Sequence, residues 1–498
     1  MGDEVTGSAL KHWDHPAYSA RLQAGRAALA QLLADERLDR GRPMTGLELE
    51  LDLVEPDGDP AFANDAVLEH LHTSGDEDAL YGAQHELGAF NIELNLPPRL
   101  LDGAGLSWYE SDLAAVLAEV REAAGKAGVQ ICPIGTMPTL ATDHMSVDAL
   151  STARRYRILN EEIMSQRGED LRIDIRGAES VDFTSSSIAP ESANTSVQFH
   201  LQVAPEDFAR HWNAAQAFAG VQVATAANSP YLFGRQLWAE TRVILFEQGT
   251  DTRRANQRTA GAKPRAWFGE RWIGGVLDLF DENYRHFSPL LPLCDEEDPA
   301  AVVAGGGVPS LQELRYHNGT VYRWNRPVYD VYRGRPHVRV ENRVVAAGPT
   351  AIDICANMAL FYGLLAHFAD AETPLSERMD FARAAANFRS AARHGINADQ
   401  WWPGLGLVPV RRLVLDELLP KAAEGLSAMG VSTRDTDRYL GVIESRCRRG
   451  VNGATWQVAR VQVAEHRQRL ERRDALRAMV LDYAARSADG RPVHEWEV

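Results

Sequence analysis

Glu48 and Glu50 stand two apart in Gly46-Leu-Glu-Leu-Glu-Leu-Asp-Leu53, and Glu93 stands in Phe90-Asn-Ile-Glu-Leu-Asn-Leu96. His200 lies in Val197-Gln-Phe-His-Leu-Gln-Val203, and Arg339, Glu341 and Arg343 in His337-Val-Arg-Val-Glu-Asn-Arg343. Each stretch alternates apolar and polar residues, the period of a half-buried strand. If the four share one sheet, its polar face gathers carboxylates, a histidine and arginines. Carboxylates converging on one face repel unless cations sit between them. Hard oxygen ligands select Mg²⁺, with Mn²⁺ as the alternative, and His200 could add a nitrogen. Mg²⁺ held this way usually also holds nucleotide phosphates. Arg339 and Arg343 suit the clamping of a transferring phosphate.

Glu86 precedes Glu93 by seven residues, a spacing that a regular strand would send to the opposite face. A bend or bulge at Gly88 could restore it. The bland alternative for any one strand is a polar side facing water; four strands with the same ionisable chemistry argue against it. Other nucleotide and nucleophile signatures are missing: no GxxxxGK[ST], no GxGxxG after a strand, no GxSxG. Gly305-Gly-Gly307 reads as a mobile loop rather than a phosphate cradle. His144 reads as structural.

These positions need elements to hold them. Helices are expected over 10–38, near 63–73, over 107–128, 148–167, 205–227, 349–369 and 376–395, and through most of the last seventy residues. Strands are expected over 46–54, 79–96 (closed by Pro97-Pro98), 129–134, 170–189, 195–203 and 336–345, with strand or helix over 235–247 and a polar loop over 248–262. The mixture argues an α+β fold, a mainly antiparallel sheet with an acidic face flanked by helices, rather than a doubly wound one.

The 498 residues carry a formal net charge of -17 and no long basic run, which argues against nucleic-acid binding. Four cysteines lie far apart with no CxxC pair, so neither a disulfide framework nor a zinc knuckle is expected. The N-terminus lacks a secretory pattern; its MGxxxT matches a myristoylation site only formally, with Asp3 and Glu4 against it. No apolar run approaches the length of a bilayer span, so no membrane partner and a cytoplasmic location are expected. A homo-oligomer stays compatible.

In this order the segments resemble the glutamate–cysteine ligases of the second bacterial type and the related carboxylate–amine ligases, whose fold is similar to the glutamine synthetase catalytic domain. Gly46-Leu-Glu-Leu-Glu50 resembles the family's opening GxExE strand, and Glu86 with Glu93 its second acidic pair. Gly135-Thr-Met-Pro138, Val197-Gln-Phe-His200 and Ala227-Asn-Ser-Pro230 with Arg235 and Arg242 resemble later segments. So do Glu341-Asn-Arg343 with Thr350 and Asp353, and Asn387-Phe-Arg-Ser-Ala-Ala-Arg-His-Gly395. Met137 and His394 depart from the family's usual residues and leave substrate choice open. Asn452-Gly-Ala-Thr-Trp-Gln457 resembles a tail of some larger ligases.

The resemblance implies a two-step reaction: a carboxylate attacks the γ-phosphate of ATP to give an acyl phosphate, and an amine displaces phosphate. Glu48, Glu50, Glu86, Glu93, His200 and Glu341 would hold Mg²⁺, with Glu50 and Arg343 catalytic and Arg343 stabilising the transferring phosphoryl group. Arg235 and Arg242 would bind the carboxylate substrate or phosphate, structural pairing being the alternative for both. The expected division is an N-terminal helical segment 1–40, a catalytic domain 41–425 and a helical extension 426–498. The partners implied are ATP and an amino acid, L-glutamate and L-cysteine foremost. A different acid or amine, a non-catalytic nucleotide-binding regulator and a metal-dependent hydrolase are the rivals.

Overall fold

A computed structural model describes residues 15–71, 81–291, 294 and 296–498. The myristoylation-like pattern, residues 10–14 of the first expected helix and residues 79–80 of the expected strand lie outside that set.

The centre is a curled, seven-stranded antiparallel sheet. Its strands are β1 (Thr45–Val54), β2 (Gly82–His85), β3 (Asn91–Arg99), β4 (Gln130–Cys132), β5 (Ser196–Val203), β6 (Asn325–Tyr332) and β7 (Arg335–Ala346). The order is β6-β7-β5-β1-β3-β2, and β4 pairs with the end of β1. All four alternating stretches therefore share the sheet, as an α+β fold with an acidic face requires. Leu47, Leu49, Leu51 and Leu53 are buried on one face, where Phe199 stacks on Phe361 at 6.0 Å.

The helices that matter for the site are α1 (His15–Ala34), α2 (Gly105–Lys126), α3 (Arg154–Arg167), α4 (Phe208–Ala226), α5 (Thr241–Gly249), α6 (Val276–His286), α7 (Gln312–Gly319), α8 (Ala351–Ala369), α9 (Phe381–His394), α10 (Thr433–Arg449), α11 (Gly453–His466) and α12 (Arg472–Asp489). Against the sequence expectation, α8 is long and apolar enough to cross a bilayer, but it is a core helix packed under the apolar face of the sheet. Its Tyr362 hydroxyl donates to the His200 carbonyl at 2.6 Å.

Three local expectations change. The strand at 91–99 runs through Pro97-Pro98. Its partner β2 stops opposite Asn95, and on the other side the β1 register slips between Leu47–Leu96 and Thr45–Arg99, so the prolines sit at a bulge beyond the end of β2, where a missing N–H costs no ladder bond. Residues 299–304 form a helix (Pro299–Ala304) capped by Asp298, and Arg37 donates to the Gly306 and Gly307 carbonyls at 2.7 and 2.6 Å. The glycine run is thus anchored. The polar stretch 248–262 includes a short helix, Ala255–Thr259.

Candidate active site

Cross-strand register places the acids. Glu50 stands opposite Glu93, and Glu341 opposite His200, whose other neighbour is Gly46. A Cβ on Gly46 would come within 3.3 Å of the His200 Cβ, so a side chain there would crowd the histidine. Glu86 joins the same face by pairing rather than by a bulge. In the β2–β3 hairpin Gln84 opposes Glu93, so Glu86, two residues beyond Gln84, faces the same side. The turn is tight: a Cβ on Gly88 would lie 2.4 Å from Asn91 Oδ1.

These groups border a cavity of about 390 Å³ between the sheet, α3 and α7. Glu48, Glu86, Glu341, Arg339 and Arg343 line it, together with Glu191, which the sequence had not marked. Glu50, Glu93 and His200 are buried just behind the lining. Glu50 accepts from Ser196 N at 2.6 Å, Ser196 Oγ at 2.9 Å and Gln198 Nε2 at 3.0 Å. Burial, then Glu86 and Glu93, push the Glu50 carboxyl up to about 8. Burial and Glu93 push Glu86 up to about 7, and burial with Glu86 and Glu50 pushes Glu191 up to about 8. Such shifts mark mutually repelling carboxylates short of positive charge.

Arginines supply part of that charge. Arg326 grips Glu341 in a buried forked pair, with Nη2 to Oε1 at 2.8 Å and Nε to Oε2 at 2.9 Å. Burial works against the Glu341 carboxylate, yet Arg326 and Arg343 hold it below its usual value. Burial likewise works against the charge on Arg343, but Glu341, Glu50, Glu48 and Glu191 hold it above the ordinary arginine value. The Nη1 of Arg343 has no hydrogen-bond partner among the described residues. Glu48 Oε1 lies 3.1 Å from His200 Nε2, and Arg339 donates from Nε to His200 Nδ1 at 3.1 Å. Arg339 is in turn paired with Asp330 at 2.8 Å. Among the described residues no three His, Cys, Asp or Glu side chains form a ready-made metal cage.

Two expected substrate-binding residues lie elsewhere. Arg235 is exposed, 3.4 Å from Glu179. Arg242 is buried and paired with Glu240 at 3.0 Å, away from the cavity lining. A charged residue in sequence does not name its partner, and both found structural carboxylates. Asp353 is also structural: it accepts from Arg446 at 2.7 Å and from Thr350 Oγ1 at 2.7 Å, all buried.

Glu191 and Arg326 were missed for different reasons. Glu191 sits in a one-turn helix, Ala189–Ala193, with no periodicity to betray it. Arg326 lies on β6, where Pro327 argues against a strand; β6 is an edge, which tolerates proline. The signal that could have found Arg326 is its even spacing from Asp330, which puts both on one face opposite Pro327, Tyr329 and Val331.

Residues 44–480 match the family model described as Glutamate-cysteine ligase family 2 (GCS2). No curated protein matches the chain. A glutamate–cysteine ligase from Francisella tularensis, solved in complex with AMP, aligns with a TM-score of 0.52 at 12% identity, over 93% of this chain and 96% of that one. A bifunctional glutathione synthetase from Pasteurella multocida aligns with a TM-score of 0.50 at 11% identity, over 93% of this chain but 53% of that one. The chain therefore spans about half the length of the bifunctional protein. At these identities the likeness is one of fold.

Proposed function

Because the chain belongs to Glutamate-cysteine ligase family 2, a family of ATP-dependent carboxylate–amine ligases, we propose that it joins the γ-carboxyl of L-glutamate to the amine of L-cysteine, using ATP and Mg²⁺. One observation carries this reading: Arg343 reaches the cavity with an Nη1 that has no partner among the described residues, while Glu48, Glu86, Glu191 and Glu341 line the same cavity. An arginine so placed suits a phosphoryl group, and the surrounding acids suit the cations that accompany it.

The donor set fits divalent metal. Glu48, Glu50, Glu86, Glu93, His200 and Glu341 would hold Mg²⁺, and Glu191 extends the same acidic wall. His200 Nε2 is buried 3.1 Å from Glu48 Oε1 with no hydrogen bond in good geometry among the described residues, and burial with mutual repulsion raises Glu50 and Glu191 to about 8 and Glu86 to about 7. Bound Mg²⁺ would neutralise the β- and γ-phosphates. Arg343 would stabilise negative charge on the phosphoryl group as the glutamate γ-carboxylate oxygen attacks and ADP leaves. Glu341, gripped by Arg326, lies 3.7 Å from Arg343 Nε and would help hold that guanidinium at the cavity. The amine then attacks the acyl carbon, and phosphate departs as the amide forms.

The test is phosphate release from ATP and Mg²⁺ with L-glutamate, against a panel of amines that includes cysteine. Release that needs both glutamate and one amine supports the reading and names the acceptor. Release without either points to a hydrolase, and nucleotide binding without release to a regulator. Release with another acid would keep the ligase and change its substrate.

A further inference from the structure

Arg242 lies outside the cavity, yet its guanidinium ends on the strand that carries Arg343. Between Asn342, opposite Phe199, and Val345, opposite Val197, the β5–β7 ladder slips by one residue. Arg343 and Val344 therefore share a single partner position, a bulge. A bulge frees backbone groups from the ladder, and buried ones need another partner. Arg242 Nη2 donates to the Val344 carbonyl at 2.8 Å and reaches the Arg343 carbonyl at 3.3 Å.

Arg242 is itself fixed on every side. Its Nε donates to Glu240 Oε1 at 3.0 Å, its backbone N–H to Ser229 Oγ at 3.2 Å, and it lies 5.5 Å over the Trp324 ring. The Trp324 carbonyl in turn accepts from the Arg343 N–H at 2.9 Å. Glu240 Oε2 accepts from the Asn228 N–H at 2.9 Å. Asn228 is held by the C-terminal helices: its Oδ1 accepts from Gln457 at 2.8 Å, and its Nδ2 donates to the Tyr483 hydroxyl at 2.7 Å.

We infer that Arg242 is a positioning residue for Arg343: by capping the carbonyls of the bulge at Arg343 and Val344, it sets where the Arg343 guanidinium sits in the cavity. The kinetic arm of the test rests on the ligase reading; the crystallographic arm does not.

Arg242→Met and Arg242→Lys are made alone and in combination with Arg343→Ala. Arg242→Met should lower kcat for phosphate release by about tenfold or more while KM for ATP moves less than about threefold. Arg242→Lys, which can still reach one carbonyl, should recover part of the loss. The double variant should be no slower than Arg343→Ala alone, because two residues acting through one group are not additive. Additive losses, or wild-type kcat in Arg242→Met, would overturn the proposal. Crystal structures of the wild type and of Arg242→Lys give the second arm: Arg343 should shift with the bulge, and a superimposable Arg343 would overturn it. Arg242→Lys keeps the charge beside Glu240 and carries both arms if Arg242→Met does not fold. Should the wild type release no phosphate with any acid and amine, the ligase reading falls and the crystallographic arm still decides.

Discussion

Glu50 and Glu93 face each other directly across the β1–β3 ladder, two buried carboxylates in register on the cavity side of the sheet. Like charges directly opposite destabilise an antiparallel pair. Above the pH of about 8 at which Glu50 ionises, Glu93→Gln should therefore stabilise the metal-free protein by about 1 kcal/mol. It should also shrink the rise in Tm that MgCl₂ produces in the wild type. Calorimetry with and without MgCl₂ checks both; an unchanged Mg²⁺ response would remove Glu93 from the metal site.

The same crowding predicts a pH dependence. Burial first, then neighbouring acids, raise Glu50 and Glu191 to about 8 and Glu86 to about 7, from the ordinary 4.5. Between 4.5 and 8 the folded chain thus holds protons that the unfolded chain has lost. Stability conferred by these protons is complete below the unfolded value and disappears as pH rises through the folded one. The metal-free Tm should fall between pH 5 and pH 8.5. A Tm that rises over that range would mean the acids are already ionised in the fold.

Arg343→Ala should leave the fold assembled and reduce turnover by about a thousandfold, the scale on which a phosphate-stabilising arginine acts. Glu50→Gln should abolish turnover in the same assay. Wild-type rates in either variant, with native circular dichroism, would end the assignment of that residue.

Asp353 is the clearest structural ionic centre, sealed with Arg446 at 0% and 1% side-chain exposure and linked to the Val493 N–H at 3.0 Å. Removing one member of such a pair strands the other, which costs about 3–5 kcal/mol. Asp353→Ala should lose that much in urea unfolding, whereas kcat at a temperature where the variant stays folded should be close to the wild type. A loss confined to kcat would place Asp353 in the chemistry instead.

The polar face was legible because alternation survives in sequence: Glu48, Glu50, Glu93, His200, Glu341 and Arg343 were readable as one face before any pairing was known. The antiparallel, mixed fold followed from the same periodicity. Glu86 was harder, since only the pairing of Gln84 with Glu93 turns an odd spacing into a shared side. Arg235 and Arg242 show the limit most sharply. A lone sequence reports their charge but not that Glu179 and Glu240 stand ready to absorb it. The Asn452-Gly-Ala-Thr-Trp-Gln457 tail had no legible role, because its partner Asn228 lies 229 residues upstream of Gln457.

That distance has a consequence during synthesis. Every acidic strand and Arg343 itself leave the ribosome before α11 and α12, which bear Gln457 and Tyr483. Contacts this remote in sequence close late, after the loop entropy between them is lost. A nascent chain can therefore assemble its carboxylate floor while the clamp on Asn228, and through it the seat of Arg343, is still missing. The last helices to be made thus complete the hydrogen bonds around Asn228, and with them the scaffold on which Arg242 and the Arg343 bulge rest.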